Sequence, residues 1–323
     1  MDNQKKKNLQ RSSSARMLVN LVCCLAAVLG IPANLFVLIA IFYFRDMRTI
    51  SNIYIGNLAV ADLLFLAGTP IVITQSITRD WNFGSVVCKG FVTGNGISQF
   101  ASAMFIAVLS LDRFLAVCRP TRASVLRTRR AAIAAVVFAW AIVILEITPL
   151  FMFVKLIKSS SSITLLVFSS QITNKLNNLF RFFTTYTFTL SYLLPLIAIW
   201  IFYAKIIRKL WQRRHRMHLK RKMSKRKTTK VTIMGLSIVI SYTLCWLPYW
   251  LIQWSIALNI GNLSILTCAS YAAFALLYIN RAVNPFIYVF LSESFKRNVI
   301  TLSRNEKKIS QIPSTRCRHT VRR

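Results

Sequence analysis

Acidic residues are scarce in this chain: 8 Asp and Glu stand against 42 Lys and Arg in 323 residues, a formal net charge of +34. Charged residues of both signs make up only 15%, too few to cover a soluble surface without leaving apolar patches. Histidine is rarer still, with 3 residues, and His215 and His218 have no carboxylate or thiol beside them, so no metal site is predicted. Residues 155–181 contain no cysteine, which excludes a disulfide within that stretch. No small-residue cleavage site follows a short apolar run, so the first apolar block reads as an uncleaved span, not as a signal peptide.

What is present is oil. The chain is 55% hydrophobic with a mean hydropathy of +0.52, and the apolar residues fall in long blocks. Met17–Phe44 has no charge over 28 residues, against the ~20 needed for a helix to cross the hydrocarbon core. Six more follow: Thr49–Thr78, Gly90–Leu111, Ala131–Val154, Phe182–Ala204, Val231–Ile260 and Leu263–Ser292. Asp62, Glu146 and Arg281 each stand alone inside one of them. The sequence therefore predicts an all-α membrane protein, a seven-transmembrane helix bundle, with no separate soluble domain. Residues 1–16 read as a basic arm, 17–292 as the bundle, and 293–323 as a juxtamembrane helix and tail. Glu293–Asn298 reads as a short amphipathic helix along the membrane, with Phe295 toward lipid and Lys296 and Arg297 toward phosphates.

Alternate loops divide the cations unequally. One side receives 29 Lys and Arg and the other 11, so the positive-inside rule places the amino terminus outside, although Lys5-Lys6-Lys7 argues mildly against it. In a soluble chain, such a charge would point to nucleic acid. Here it lies beside the membrane, where it sets topology and attracts anionic lipid; no nucleic-acid partner is expected.

Each span carries a residue that is odd for a lipid-facing helix: Asn34; Asn57 and Asp62; Asp112-Arg113-Phe114; Trp140; Pro195 with Tyr203; Cys245-Trp246-Leu247-Pro248; Asn284-Pro285-Phe286-Ile287-Tyr288. One alone is a common packing feature, but the ordered set of seven is specific. It resembles the rhodopsin-like family of G-protein-coupled receptors over residues 17–303. Gly68-Thr-Pro-Ile, Trp81-Asn-Phe-Gly84, Gly94-Asn-Gly-Ile-Ser-Gln-Phe100, Cys245–Trp250 and Phe290–Lys296 are most similar to somatostatin and allatostatin-C receptors, with opioid and galanin receptors near by.

The resemblance implies a plasma-membrane neuropeptide receptor that activates a heterotrimeric G protein, of the inhibitory (Gi/o) class, as span six swings outward. It implies no cofactor. The implied ligand contacts are Gln75, Asn95, Gln99, Tyr249, Gln253, Phe274 and Tyr278. The implied switch residues are Asp112, Arg113, Tyr203, Trp246, Pro248, Asn284, Pro285 and Tyr288, and the polar core is Asn34, Asp62, Ser102, Asn280 and Arg281. Pro248 and Pro285 remove helix hydrogen bonds and create hinges. Asp112 can hold the Arg113 guanidinium in a resting state, and Phe114 replaces the family's usual Tyr.

Three departures alter these expectations. Asn95 stands where relatives carry an Asp that pairs with a cationic ligand group. With Gln99 on the same helix face, it suits a neutral group, or else it only bonds a neighbouring helix. Lys155, Lys158, Lys175 and Arg181 in the second outer loop favour a neutral or acidic peptide contact. Arg281 replaces the family's usual Ser beside a sodium site formed with Asp62 and Ser102. It either pairs with Asp62 and takes the place of the ion, or reaches water toward the cytoplasm. Cys88 matches the family's loop-stapling cysteine but lacks its partner. Cys268, Cys23 and Cys24 are the alternatives, all in poor geometry.

Smaller expectations are a hairpin arm at Ile163–Phe168, a glycosylation sequon at Asn262 and palmitoylation of Cys317. An opsin would need a Lys in span seven, and an intramembrane transporter more charges or repeated halves. The remaining rival is a receptor-like protein with constitutive or lost signalling.

Overall fold

The computed structural model describes residues 2–78, 80–153, 156–159, 162–165, 174–216, 222–292 and 295–297. Its helices are α1 (Asp2–Tyr43), α2 (Ile50–Leu66), α3 (Thr69–Thr78), α4 (Gly84–Cys118), α5 (Pro120–Leu126), α6 (Arg129–Phe153), α7 (Asn174–Phe188), α8 (Leu194–Arg216), α9 (Lys222–Ala257) and α10 (Leu263–Leu291). Seven stretches are long and apolar enough to cross a bilayer, among them Arg16–Tyr43 within α1 and Gly84–Cys118. Residues 2–16, expected as a separate arm, continue α1 as helix.

Burial ranks the spans. In the most apolar stretch of span three 56% of residues are buried, against 22% in span four, so span three is the central post and span four a peripheral one. Outward faces carry Leu25, Phe42, Val137, Phe138, Leu145 and Phe290. A soluble monomer rarely exposes such a continuous apolar surface, whereas in hydrocarbon it is satisfied.

Two spans depart from straight helices. The expected block Thr49–Thr78 is divided at Ala67–Gly68 into α2 and α3. Pro70 suits the first turn of a new helix, where its missing N–H costs nothing. Gly68 admits Phe91, whose ring would lie 2.9 Å from any Cβ there. Span five carries a π turn, Thr189–Leu193, between α7 and α8. Pro195 has no N–H to offer the carbonyl of Ser191, and Tyr242 Oη donates to that oxygen instead, at 2.7 Å. The carbonyl released by Pro285 in the same way belongs to Arg281, and Asn34 Nδ2 donates to it at 3.3 Å.

In the second outer loop Leu156–Ser159 (β1) pairs antiparallel with Ser162–Leu165 (β2). The expected arm at Ile163 is thus present as far as Leu165, and residues 166–168 lie outside the described set. Phe295 corrects a sequence expectation. Its side chain is 1% exposed and sits 6.5 Å from the Tyr288 ring, facing the bundle, not lipid. A benzyl group that can fill a gap beneath span seven gains packing that lipid does not offer. Arg297 turns to Asp46 of the first inner turn at 2.6 Å. Residues 293–294, 298 and Cys317 lie outside the described set.

Candidate functional site

The centre of the bundle is a polar core built around one charge pair. Arg281 of α10 and Asp62 of α2 are both 0% exposed, with Nη1 at 2.9 Å from Oδ1. Arg281 Nη1 also donates to the Ser102 hydroxyl of α4, and Asn284 Nδ2 donates to Asp62 Oδ2 at 2.8 Å. The guanidinium carbon lies 5.2 Å from the Phe65 ring centre and 5.5 Å from that of Trp246. One side chain therefore touches spans two, three and six from its place on span seven. Its Nε and Nη2 make no hydrogen bond among the described residues.

Neighbouring polar residues tie the same helices. Asn280 Nδ2 donates to Ser241 Oγ of α9 at 3.0 Å. Ser98 Oγ donates to the Ala61 carbonyl at 2.6 Å, and Trp140 Nε1 to Asn57 Oδ1 at 2.9 Å. Two close approaches need glycine: a Cβ on Gly30 would meet Leu66 at 2.8 Å and the Ala282 backbone at 3.1 Å, and one on Gly96 would collide with Ile147.

At the far end of span three, before α5, Asp112 is shared. Arg113 Nη2 stands 3.4 Å from it, while Arg127 Nε, just past α5, approaches to 2.7 Å. Ser51 Oγ donates to Asp112 Oδ2 at 2.8 Å. Asp112 therefore holds Arg113 with competition, and Arg113 Nε makes no hydrogen bond among the described residues. Phe114 stacks on Phe202 of α8 with ring centres 5.5 Å apart, a contact that needs the ring and not the hydroxyl of the usual Tyr. Tyr203 is fully buried beneath α9.

The expected ligand residues do not form one cluster. Gln99 Nε2 is bound to Ser191 Oγ of span five at 2.6 Å. Asn95 lines a cavity of about 290 Å³ between spans two and three, with Leu64, Ala67, Gly68, Gly90 and Gly94. Phe274 and Tyr278 pack on Phe65, with ring centres 6.2 and 4.8 Å away. Tyr249 packs on Trp246 and Trp250. Gln253 is buried with Nε2 unbonded, and Gln75 is half-buried on α3. Among the outer cations, Arg181 Nε caps the Ala257 carbonyl at 2.6 Å and Lys89 covers Phe151 at 4.1 Å. The side chains of Lys155, Lys158 and Lys175 lie outside the described residues. Cys23, Cys24, Cys88 and Cys268 are all free thiols. Asn262 is exposed at the turn between α9 and α10.

A family model described as 7 transmembrane receptor (rhodopsin family) matches residues 33–288. The chain belongs to the rhodopsin-like family of seven-transmembrane receptors. Somatostatin receptor type 1 of Rattus norvegicus is 29% identical to it over 300 residues, covering 90% of this chain and 72% of the relative. Somatostatin receptor type 4 of Rattus norvegicus is 30% identical over 295 residues, covering 87% and 71%. Somatostatin receptor type 2 of Sus scrofa is 32% identical over 283 residues, covering 84% and 73%. The receptor is thus a multi-pass, somatostatin-receptor-like membrane protein.

Sequence reasoning missed several of the receptor's working residues. Arg127 sits in a basic loop whose cations look alike in sequence, and Ser51 has no motif. The need for a donor at the Ser191 carbonyl is implied by Pro195, but nothing in the sequence says that Tyr242 supplies it. Glu146 was visible as a lone carboxylate. Its carbonyl accepts from Tyr186 Oη at 2.8 Å, which ties span four to span five.

Proposed function

We propose that this receptor sits in the plasma membrane with its amino terminus outside, binds a neuropeptide, and activates a heterotrimeric G protein of the inhibitory (Gi/o) class. The observation that carries the reading is Arg113. A guanidinium 3.4 Å from Asp112 stands at the end of the central span, and α9, with Pro248 inside it, packs against that span. Outward movement of span six would uncover the guanidinium for an acidic partner surface. A peptide shifts this equilibrium only through different affinity for the two states. Asn95, an amide in place of a carboxylate, supports a neutral or acidic ligand contact over a cationic one.

In this reading Arg281 takes the place of the sodium ion of relatives. Its support is that the guanidinium supplies the positive charge at this place: Asp62 Oδ1 and Ser102 Oγ face Arg281, and Asp62 Oδ2 faces Asn284. A second cation beside the guanidinium would be repelled, so the residues present do not fit sodium. The same observation favours a second reading, a receptor-like protein with constitutive or lost signalling, as does the free Cys88 thiol.

The test is a screen of secreted neuropeptides on cells expressing the chain, read with activation sensors for each G-protein class. Ligand-dependent activation of the inhibitory class supports the first reading. High basal activation that vanishes in Arg113→Ala supports the second. Basal activity equal to that of Arg113→Ala, with no response to any peptide, refutes both active forms.

A further inference from the structure

Gly235 stands in the interior of α9, buried, about three turns before Trp246. A mid-helix glycine costs about 1 kcal/mol relative to alanine, so its presence calls for a steric reason. The reason faces it from span five. A Cβ at 235 would overlap the Tyr203 hydroxyl and stand 3.3 Å from Tyr203 Cζ. Tyr203 is 0% exposed, and its Oη makes no hydrogen bond among the described residues. Ser110 and Arg113 of α4 are the polar side chains near that hydroxyl. Ser110 Oγ already donates to the Ile106 carbonyl at 2.7 Å, whereas Arg113 Nε is unbonded.

We infer that Gly235 is a notch that parks the Tyr203 ring against span six, and that the absence of a side chain there sets how strongly the receptor rests in its closed form. The inference deepens the proposed function, since it rests on span six moving outward. A methyl group at 235 leaves two escapes. Span six moves away from span five, or the rigid phenol leaves the notch toward Arg113, where its oxygen competes with Asp112 for the guanidinium. Both escapes favour the open form. Helix propensity alone predicts no change, because Gly→Ala stabilises the helix of span six equally in the closed and the open form.

The experiment uses the full chain in lipid nanodiscs with G protein. It compares the parent, Gly235→Ala, Tyr203→Phe and the double variant, reading basal nucleotide exchange. Spin labels on the cytoplasmic ends of spans three and six report their separation. Overpacking of this kind raises basal exchange by roughly fivefold or more in Gly235→Ala and widens the label distance. Tyr203→Phe removes the overlapping oxygen, so in that background the fold-gain from Gly235→Ala falls toward one.

An equal gain in both backgrounds overturns the proposal, as does a Gly235→Ala protein, with Tyr203 present, that gains neither exchange nor label distance. If Gly235→Ala alone fails to insert, recovery of insertion in the double variant reports the same collision, and no recovery overturns it. If no version activates a G protein while the label distance still widens in Gly235→Ala, the signalling reading falls and the notch stands.

Discussion

Replacing Arg281 by serine removes the cation that faces Asp62 and leaves that carboxylate, among the described residues, with one amide donor, Asn284 at 2.8 Å. Both partners of the lost pair are 0% exposed, so no bulk water reaches the site to screen the remaining charge. Removing one member of a buried ion pair costs about 3–5 kcal/mol. At about 2–4 °C per kcal/mol, Tm falls on the order of 10 °C. The variant also recreates an acceptor set with a free carboxylate oxygen, the serine introduced at 281 and Ser102. A cation bound there stabilises by RT ln(1 + [L]/Kd), about 2.7 kcal/mol at a hundredfold excess over Kd. The assay is thermal unfolding of purified receptor in sodium or potassium chloride at equal ionic strength. The parent unfolds at the same temperature in both salts, and Arg281→Ser unfolds lower in potassium and recovers several degrees in sodium. A sodium-dependent Tm in the parent, or an Arg281→Ser protein as stable in potassium as the parent, refutes the argument.

Arg127→Ala leaves Asp112 to Arg113 and the Ser51 hydroxyl. Because Arg127 is partly exposed, its pair is worth about 0.2–1 kcal/mol, so basal exchange drops by up to about fivefold, and a rise would contradict the competition for Asp112. Trp81 is 1% exposed and donates from Nε1 to the Gly84 carbonyl at 2.6 Å. Trp81→Ala therefore destabilises the outer corner by about 3–5 kcal/mol, measured by thermal unfolding of the purified receptor. Since Cys88, Cys23, Cys24 and Cys268 are thiols, a reducing agent leaves the Tm unchanged; a marked fall would reveal a bridge.

The spans were legible because a helix in lipid must be apolar along its whole length, which leaves a mark that neighbours cannot hide. Their breaks were less so. Pro70 lies inside a run that reads as unbroken, and the π turn before Pro195 depends on Tyr242 arriving from span six. Phe295 looked lipid-facing because a benzyl group suits lipid and a bundle interior equally, and only the gap beside Tyr288 separates the two. The ligand residues shared a helix face on span three, yet Gln99 is taken by Ser191 while Asn95 opens toward spans two and three. Helical spacing orders side chains on their own helix and says nothing of which neighbour claims them.

What the sequence by itself determined is the count of crossings and the polar residues that hydrocarbon would reject, since these follow from composition along a single helix. Only the tertiary structure decided partners: that Arg281 meets Asp62 and the Trp246 ring, that Asp112 divides itself between Arg113 and Arg127, and that Tyr203 finds Gly235. Except for Asp112 and its chain neighbour Arg113, each such pair joins residues from different elements, and its energy depends on a distance that exists only once the helices are packed.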